Sequence, residues 1–428
     1  MTSRWEWIGM QFSRRLWVRA ALISLLAVAA VAAAGVLRDH IPADFSARIG
    51  ADSVDGILTI LASSMLAVTT FSLSTMVSAY GAATSQVTPR ATRLLREDTT
   101  TQNVLATFIG AFLFSLLGIV ALATGLYGEQ GRVMLFVVTL GVIVLIVVTL
   151  LRWIEHLSMF GRVDDTTRRV EEAAARALAN WVEAPCLGGR LLAHDEDVPE
   201  HARPLFDARI GYVQHIDVGV LQAWAEAHDA EVFVRARPGS YVEPTRPVAW
   251  VAGADTPDSL AEEAFVFSTA RSFYQDPRFG LEVLAEIASR ALSPAVNDPA
   301  TAIDVIGRAV RVLSRCAGVD GRPRGDVACP RVHVPTLEVG DLFNDVLGPV
   351  ARDGATLVEV HMRLQKGLAM LARMGDNLRA PARRHAELAL ARAEVALTID
   401  EDKAVLRGLA AAVGREGKEA GLRGSERS

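Results

Sequence analysis

Four stretches of this 428-residue chain contain no Asp, Glu, Lys or Arg: Ala20 to Leu37, Gly56 to Pro89, Thr99 to Gly128 and Val133 to Leu151. No other feature restricts the fold as much. About 20 apolar residues at helical rise cross the hydrocarbon core of a bilayer. Inside lipid the backbone N–H and C=O groups must be paired within the protein, so uninterrupted runs of this length become helices. The sequence predicts an α-helical membrane bundle of four transmembrane helices over 1–151, with spans at about 18–37, 56–80, 103–127 and 133–151. The lipid bilayer is the first partner expected. The first run is read as a retained span, because three more follow it.

Orientation follows from arginine. Arg4, Arg14, Arg15 and Arg19 precede the first span, and Arg90, Arg93 and Arg96 lie between the second and third. The opposite side holds Arg38, Arg48 and Arg132. Positive flanks stay inside, which places both termini in the cytoplasm of a bacterial inner membrane. Trp5, Trp7, Trp17 and Trp153 are expected as anchors at headgroup level.

Within the second span, Ser63, Thr70, Ser74 and Ser78 follow helical spacing and share one face. Such hydroxyls serve close helix packing and interhelical hydrogen bonds, or line a water-filled path in an oligomer. No span contains an ionisable carboxylate, Lys or Arg, which disfavours a charge-coupled transporter.

Beyond residue 151 the chemistry changes. The first 151 residues carry ten Lys and Arg against eight Asp and Glu, whereas the remainder carries 34 against 41. An acidic region without a basic stripe argues against a nucleic-acid partner. Cys186, Cys316 and Cys329 are too few and too dispersed for a disulfide framework, and with His333 they lack paired metal-ligand spacing. No metal or cofactor is expected. The first lysine is Lys366, and no lysine precedes Ser or Thr, so a lysine-borne cofactor on the small β module and a Walker phosphate loop are both excluded.

The predicted organisation is an amphipathic connector helix over 152–183, a linker over 184–208, a small β-rich module over 209–255, a helical cytoplasmic domain over 256–413 and a disordered tail over 414–428. The cytoplasmic part is thus mostly α, α+β in class. His361 shares a face with Leu357, Leu364 and Leu368 and is expected in the core, whereas His385, beside Leu388 and Ala389, is expected at the edge of a packed face. The run Tyr274 to Arg308 holds two helix starts of one design. Asp276-Pro277 and Asp298-Pro299 each place a carboxylate at the N-cap and a proline at the first helical position. As caps the two aspartates are equivalent, and Asn at either should be tolerated.

FSLSTMVSAYGAATSQVTPRATRLLREDTTTQNVLATFIGAFLFSLLG (Phe71 to Gly118) together with QDPRFGLEVLAEIASRALSPAVNDPATAID (Gln275 to Asp304) resembles the bacterial predicted membrane proteins grouped as domain of unknown function twenty-two fifty-four. Two signatures carry the likeness. One is Ser85, Gln86, Pro89 and Arg90 after the second span; the other is Ser293, Pro294, Asn297, Asp298 and Pro299. The family pattern has paired histidines after the fourth span, where this chain has Glu155 and His156. The resemblance implies the topology and no particular activity.

Two functions are expected from these features. The first is a non-enzymatic, membrane-anchored sensor or interaction protein with a cytosolic partner. The alternative is a homo-oligomeric ion channel lined by the second span. A membrane-bound enzyme would require Asp276, Arg278, Asn297 and Asp298 to converge in one cleft.

Overall fold

The computed structural model describes residues 18, 21–25, 28–29, 51–96, 98–124, 129–256, 259–323 and 327–425. Apart from helical pieces at 18, 21–25 and 28–29, the predicted first span lies outside these residues, as do Trp5, Trp7 and Trp17. The chain divides into two compact units, one over Ile8–Thr166 and a second whose described part begins at Thr167.

The first unit is helical: α1 (Ala51–Gln86), the short α2 (Thr92–Arg96), α3 (Thr99–Ala123) and α4 (Glu129–Met159). Three stretches are long and apolar enough to cross a membrane, Val54–Thr84, Thr92–Ala123 and Arg132–Met159. Helices α1 and α4 extend beyond the uncharged runs, because a charged residue near a helix end reaches water without breaking the backbone ladder. Three apolar layers hold the bundle: Leu58 with Phe114 and Leu135, Met65 with Phe108 and Ile146, and Leu95 with Leu105 and Phe160. Trp153, expected as an anchor at headgroup level, turns its ring into the bundle. It is buried in the second layer, where its Nε1 donates to Ser72 Oγ at 2.9 Å. An indole can enter an apolar interior when its N–H finds an acceptor, and Ser72 supplies one.

The single connector expected over 152–183 is two pieces. Helix α4 continues to Met159, the chain turns at Gly161 in the left-handed region (φ 79°), and α5 runs over Val163–Glu183. Val170, Ala174, Leu178 and Trp181 form the buried face that the apolar periodicity predicted.

The second unit is α+β. Strands β1 (Gly189–Leu191), β2 (Arg203–Leu205), β3 (Gly211–Ile216), β4 (Glu231–Val234), β5 (Tyr241–Val242), β6 (Ala249–Ala252), β7 (Phe265–Ser268) and β8 (Cys329–Val334) form two sheets. The larger has the order β1-β8-β4-β6-β2, parallel across β1-β8-β4 and antiparallel across β4-β6-β2. The smaller is antiparallel, β5-β3-β7. Strand β8 therefore interrupts the stretch predicted as helical, and β1 and β2 occupy the predicted linker. Strands so short carry too little alternation to be told from loops, and pairing over such distances leaves no local mark. Helices α6 (Val218–Ala227) and α7 (Ser259–Ala264) accompany the sheets, and Leu221, Val232, Val251, Leu260, Phe265 and Val332 share one core.

Helices α8 (Pro277–Ala291), α9 (Pro299–Leu313), α10 (Val339–Asp353), α11 (Val358–Met374), α12 (Asp376–Ala396) and α13 (Asp400–Ser425) complete the unit. Helix α13 is continuous to Ser425, through most of the predicted tail. Helix α5 joins α9 through Glu171, which accepts from Arg308 at 3.0 Å and Arg311 at 2.6 Å.

Candidate functional site

A cleft of about 360 Å³ opens in the α+β unit. Its walls come from the end of α5 (Ala177, Trp181), the start of α6 (Asp217 to Gly219), the Arg237-Pro238 turn, Tyr274 and Gln275 before α8, and Val334 at the end of β8 with Pro335 and Leu337 beyond it. The lining is mainly apolar. Asp217 caps α6, its Oδ1 accepting from Val220 N at 3.2 Å, and Glu183 lies exposed at the rim. Arg237 reaches Thr336 O through Nη1 at 2.6 Å.

The turn bearing Arg237 is set by a buried charge cluster. Gly239 sits in the left-handed region (φ 85°), and a Cβ there would collide with the Asp276 carboxylate. Asp276 is itself 2% exposed and held by Arg271, whose Nε donates to Oδ2 at 2.7 Å and Nη2 to Oδ1 at 2.9 Å. The amides of Arg278 and Phe279 add the helix cap at 3.2 Å each. Arg271 also binds both oxygens of Glu282. Burial disfavours the Arg271 cation, but the bonds and charges of Asp276 and Glu282 outweigh it and hold its pKa above the ordinary value. Arg278 turns the other way, with Nε and Nη2 on Asp345 and Nη1 on Asp341.

The Ser293 to Pro299 joint is a self-contained corner. Asn297 takes φ 51°, its N–H donates to Ser293 O at 2.9 Å, and Asp298 N donates to Ala291 O at 2.8 Å. Asp298 caps α9 through Thr301 N at 3.1 Å and Thr301 Oγ1 at 2.5 Å, and these bonds lower its pKa. Pro294 and Asn297 are exposed. The 15-residue α8, about 22 Å long at helical rise, separates Asp276 and Arg278 from Asn297 and Asp298. These four do not converge, and the two aspartates are not equivalent: one is in a buried bidentate ion pair, the other is a partly exposed cap.

In the helical unit the second-span hydroxyls Ser63, Thr70, Ser74 and Ser78 are all exposed on the single chain, whereas Ser72 points inward to Trp153. Ser63 and Thr70 donate to the carbonyls of Thr59 and Leu66 on their own helix, at 3.0 and 2.9 Å. The Gln86 to Arg90 stretch turns the chain between α1 and α2, with Pro89 and Arg90 exposed and the Gln86 side chain outside the described residues. His156 has a partner that sequence reading missed. Its Nε2 lies 3.0 Å from Asp98 Oδ2, which also accepts from Thr101 N and Oγ1 at 2.8 and 2.6 Å. One carboxylate thus ties the start of α3 to the end of α4. The available signal was an aspartate directly preceding an uncharged run.

The family described as predicted membrane protein (DUF2254) matches residues 13–370. This chain belongs to that family. The match takes in the three long apolar helices, the cleft and both signature turns. Similar proteins include an uncharacterized protein of Mycobacterium tuberculosis and one of Mycobacterium bovis, each 27% identical over 263 residues. Those alignments cover 59% of this chain and 50% of the relative, so the chain spans half the length of the curated relatives it matches. No solved structure matches.

Proposed function

We propose that this family member is a non-enzymatic binding protein anchored in the bacterial inner membrane, whose α+β unit lies in the cytoplasm and takes a small ligand in its cleft. The cleft carries this reading: a concave, largely apolar cavity of about 360 Å³ with a few polar groups has the size and character of a ligand site. Native mass spectrometry of the full chain, exposed to the small-molecule fraction of bacterial cytosol, tests it. Gly219 lines the cleft, and the nearest atom to a Cβ there is Asp217 Oδ1 at 3.3 Å, so Gly219→Trp fills the cavity from a helix surface. Wild type should retain an adduct that the variant lacks. Identical spectra would refute a cleft ligand.

The arginine asymmetry supports cytoplasmic termini. Alkaline phosphatase fused after Ser428 should be inactive, and fused at Ala43 or Gln130 active; the reverse pattern would invert the topology.

A homo-oligomeric channel is the second reading, favoured by the outward hydroxyl face of α1. Ion flux through liposomes containing the purified chain, abolished by Ser74→Leu, would support it over the first.

A further inference from the structure

Arg237 is a cation in the wall of the cleft whose hydrogen bonding among the described residues is the one bond to Thr336 O. Of the carboxylates whose charge reaches it, Asp341 is engaged with Arg278, Glu338 is exposed to solvent and Asp276 is engaged with Arg271; among the described residues none forms an ion pair with Arg237. Burial pushes the Arg237 pKa below its ordinary value, and the neighbouring Arg278 charge pushes the same way. A guanidinium remains ionised under such pressure, so it lines the cavity as a partly desolvated charge that three carboxylates attract but none pairs with directly.

Trp181, in the same lining, adds a second and independent observation. It is 6% exposed, and its buried Nε1 has no acceptor among the described residues. Buried indole N–H groups ordinarily find one. The cleft thus offers the Arg237 guanidinium beside flat apolar walls, including Trp181, Tyr274 and Pro238. Its acidic groups limit what can enter. Asp217 faces the first-turn amide of its own helix, and Glu183 stands at the exposed rim, where it repels a ligand of high negative charge.

We infer, resting on the cleft reading above, that the site takes a small organic monoanion with a flat apolar body, its carboxylate bound by Arg237 and its body packed against Trp181. A guanidinium binds a carboxylate through two parallel hydrogen bonds, which distinguishes such a ligand from its neutral amide.

Calorimetry on the full chain in lipid nanodiscs, with 2-naphthoate and neutral 2-naphthamide as probes, tests the inference. Wild type should bind the carboxylate at least about tenfold tighter than the amide, a gap consistent with a charge-assisted pair. Arg237→Gln should erase that preference, Arg237→Lys should keep part of it, and ATP should not compete. Melting temperatures of both variants, measured on the same samples, separate lost recognition from lost folding. If Arg237→Gln unfolds the unit, the wild-type preference and the Lys variant decide. Equal affinity for the two probes in wild type, or a preference surviving in folded Arg237→Gln, overturns the inference. If both probes bind equally and Gly219→Trp blocks both, the cleft reading stands and the monoanion falls. If neither binds, the monoanion falls, and the adduct measurement alone judges the cleft.

Discussion

Asp276→Asn is expected to lower the stability of the α+β unit by about 3 kcal/mol, because it removes one of the two carboxylates that neutralise the buried Arg271 guanidinium and leaves only Glu282. For a unit of this size that is a fall of roughly 10 °C in melting temperature. Asp298→Asn, at a cap whose Asn form also accepts from the helix amides, should cost less than about 1 kcal/mol. Thermal and urea melts of the full chain in detergent, followed by hydrogen exchange of α8 amides, compare the two directly. Arg271→Gln should cost about as much as Asp276→Asn. Their combination should fall short of the sum by about 1–3 kcal/mol, since both changes break the same Arg271–Asp276 pair. Equal melts for Asp276→Asn and Asp298→Asn would restore the equivalence that the repeated Asp-Pro starts imply.

Acidification below about pH 6.5 is expected to destabilise the same unit. His385 is buried beside Phe343, and burial, with Arg384 and Arg392 adding, pushes its pKa down to about 4 from an ordinary value near 6.5. Burial also lowers His361 and His333. A histidine with a depressed folded-state pKa binds fewer protons folded than unfolded. Its stabilising contribution is present above the unfolded value and declines as the pH falls. For His385 the loss starts near pH 6.5 and is complete near pH 4, and the separation corresponds to about 3 kcal/mol. His385→Leu should remove that share of the pH dependence, leaving a flatter stability profile between pH 6.5 and 4. Chemical denaturation at steps of pH measures both slopes. Parallel wild-type and variant profiles would mean that His385 takes up its proton in the folded state as readily as in the unfolded one.

Both expectations depend on features that differ in how far they can be read from sequence. Helical periodicity places His361 in the core, where it is buried, but His385 only at the edge of a packed face, and the structure buries it as well. The two Asp-Pro helix starts were equally legible, since an N-cap and a first-turn proline act within four residues. What made Asp276 different was not. Its burial needs the Gly239 turn, 37 residues upstream in the chain, to close over it, and its counter-ion Arg271 looks on paper like any arginine in a loop. Arg237 and Trp181 were overlooked for the same reason. A cation without a direct ion-pair partner and an indole N–H without an acceptor become visible only when every neighbour is in place.

The sequence by itself determined the elements whose cause is local. Uncharged runs of membrane length had to be helices in lipid, and apolar periodicity marked the buried faces of α5, α8, α9 and α11. The two Asp-Pro pairs placed the starts of α8 and α9. Tertiary structure alone decided what depends on distant partners. Strand β8 enters the sheet between β1 and β4, pairing Cys329 with Gly189 across 140 residues of sequence. Trp153 turns inward because Ser72 is there to accept its N–H, and His156 meets Asp98 because α3 and α4 pack side by side. Hydropathy and capping act over one helical turn and are written into the order of residues. Pairing, burial of charge and the shape of a cleft are properties of the packed chain, where groups far apart in sequence lose water together.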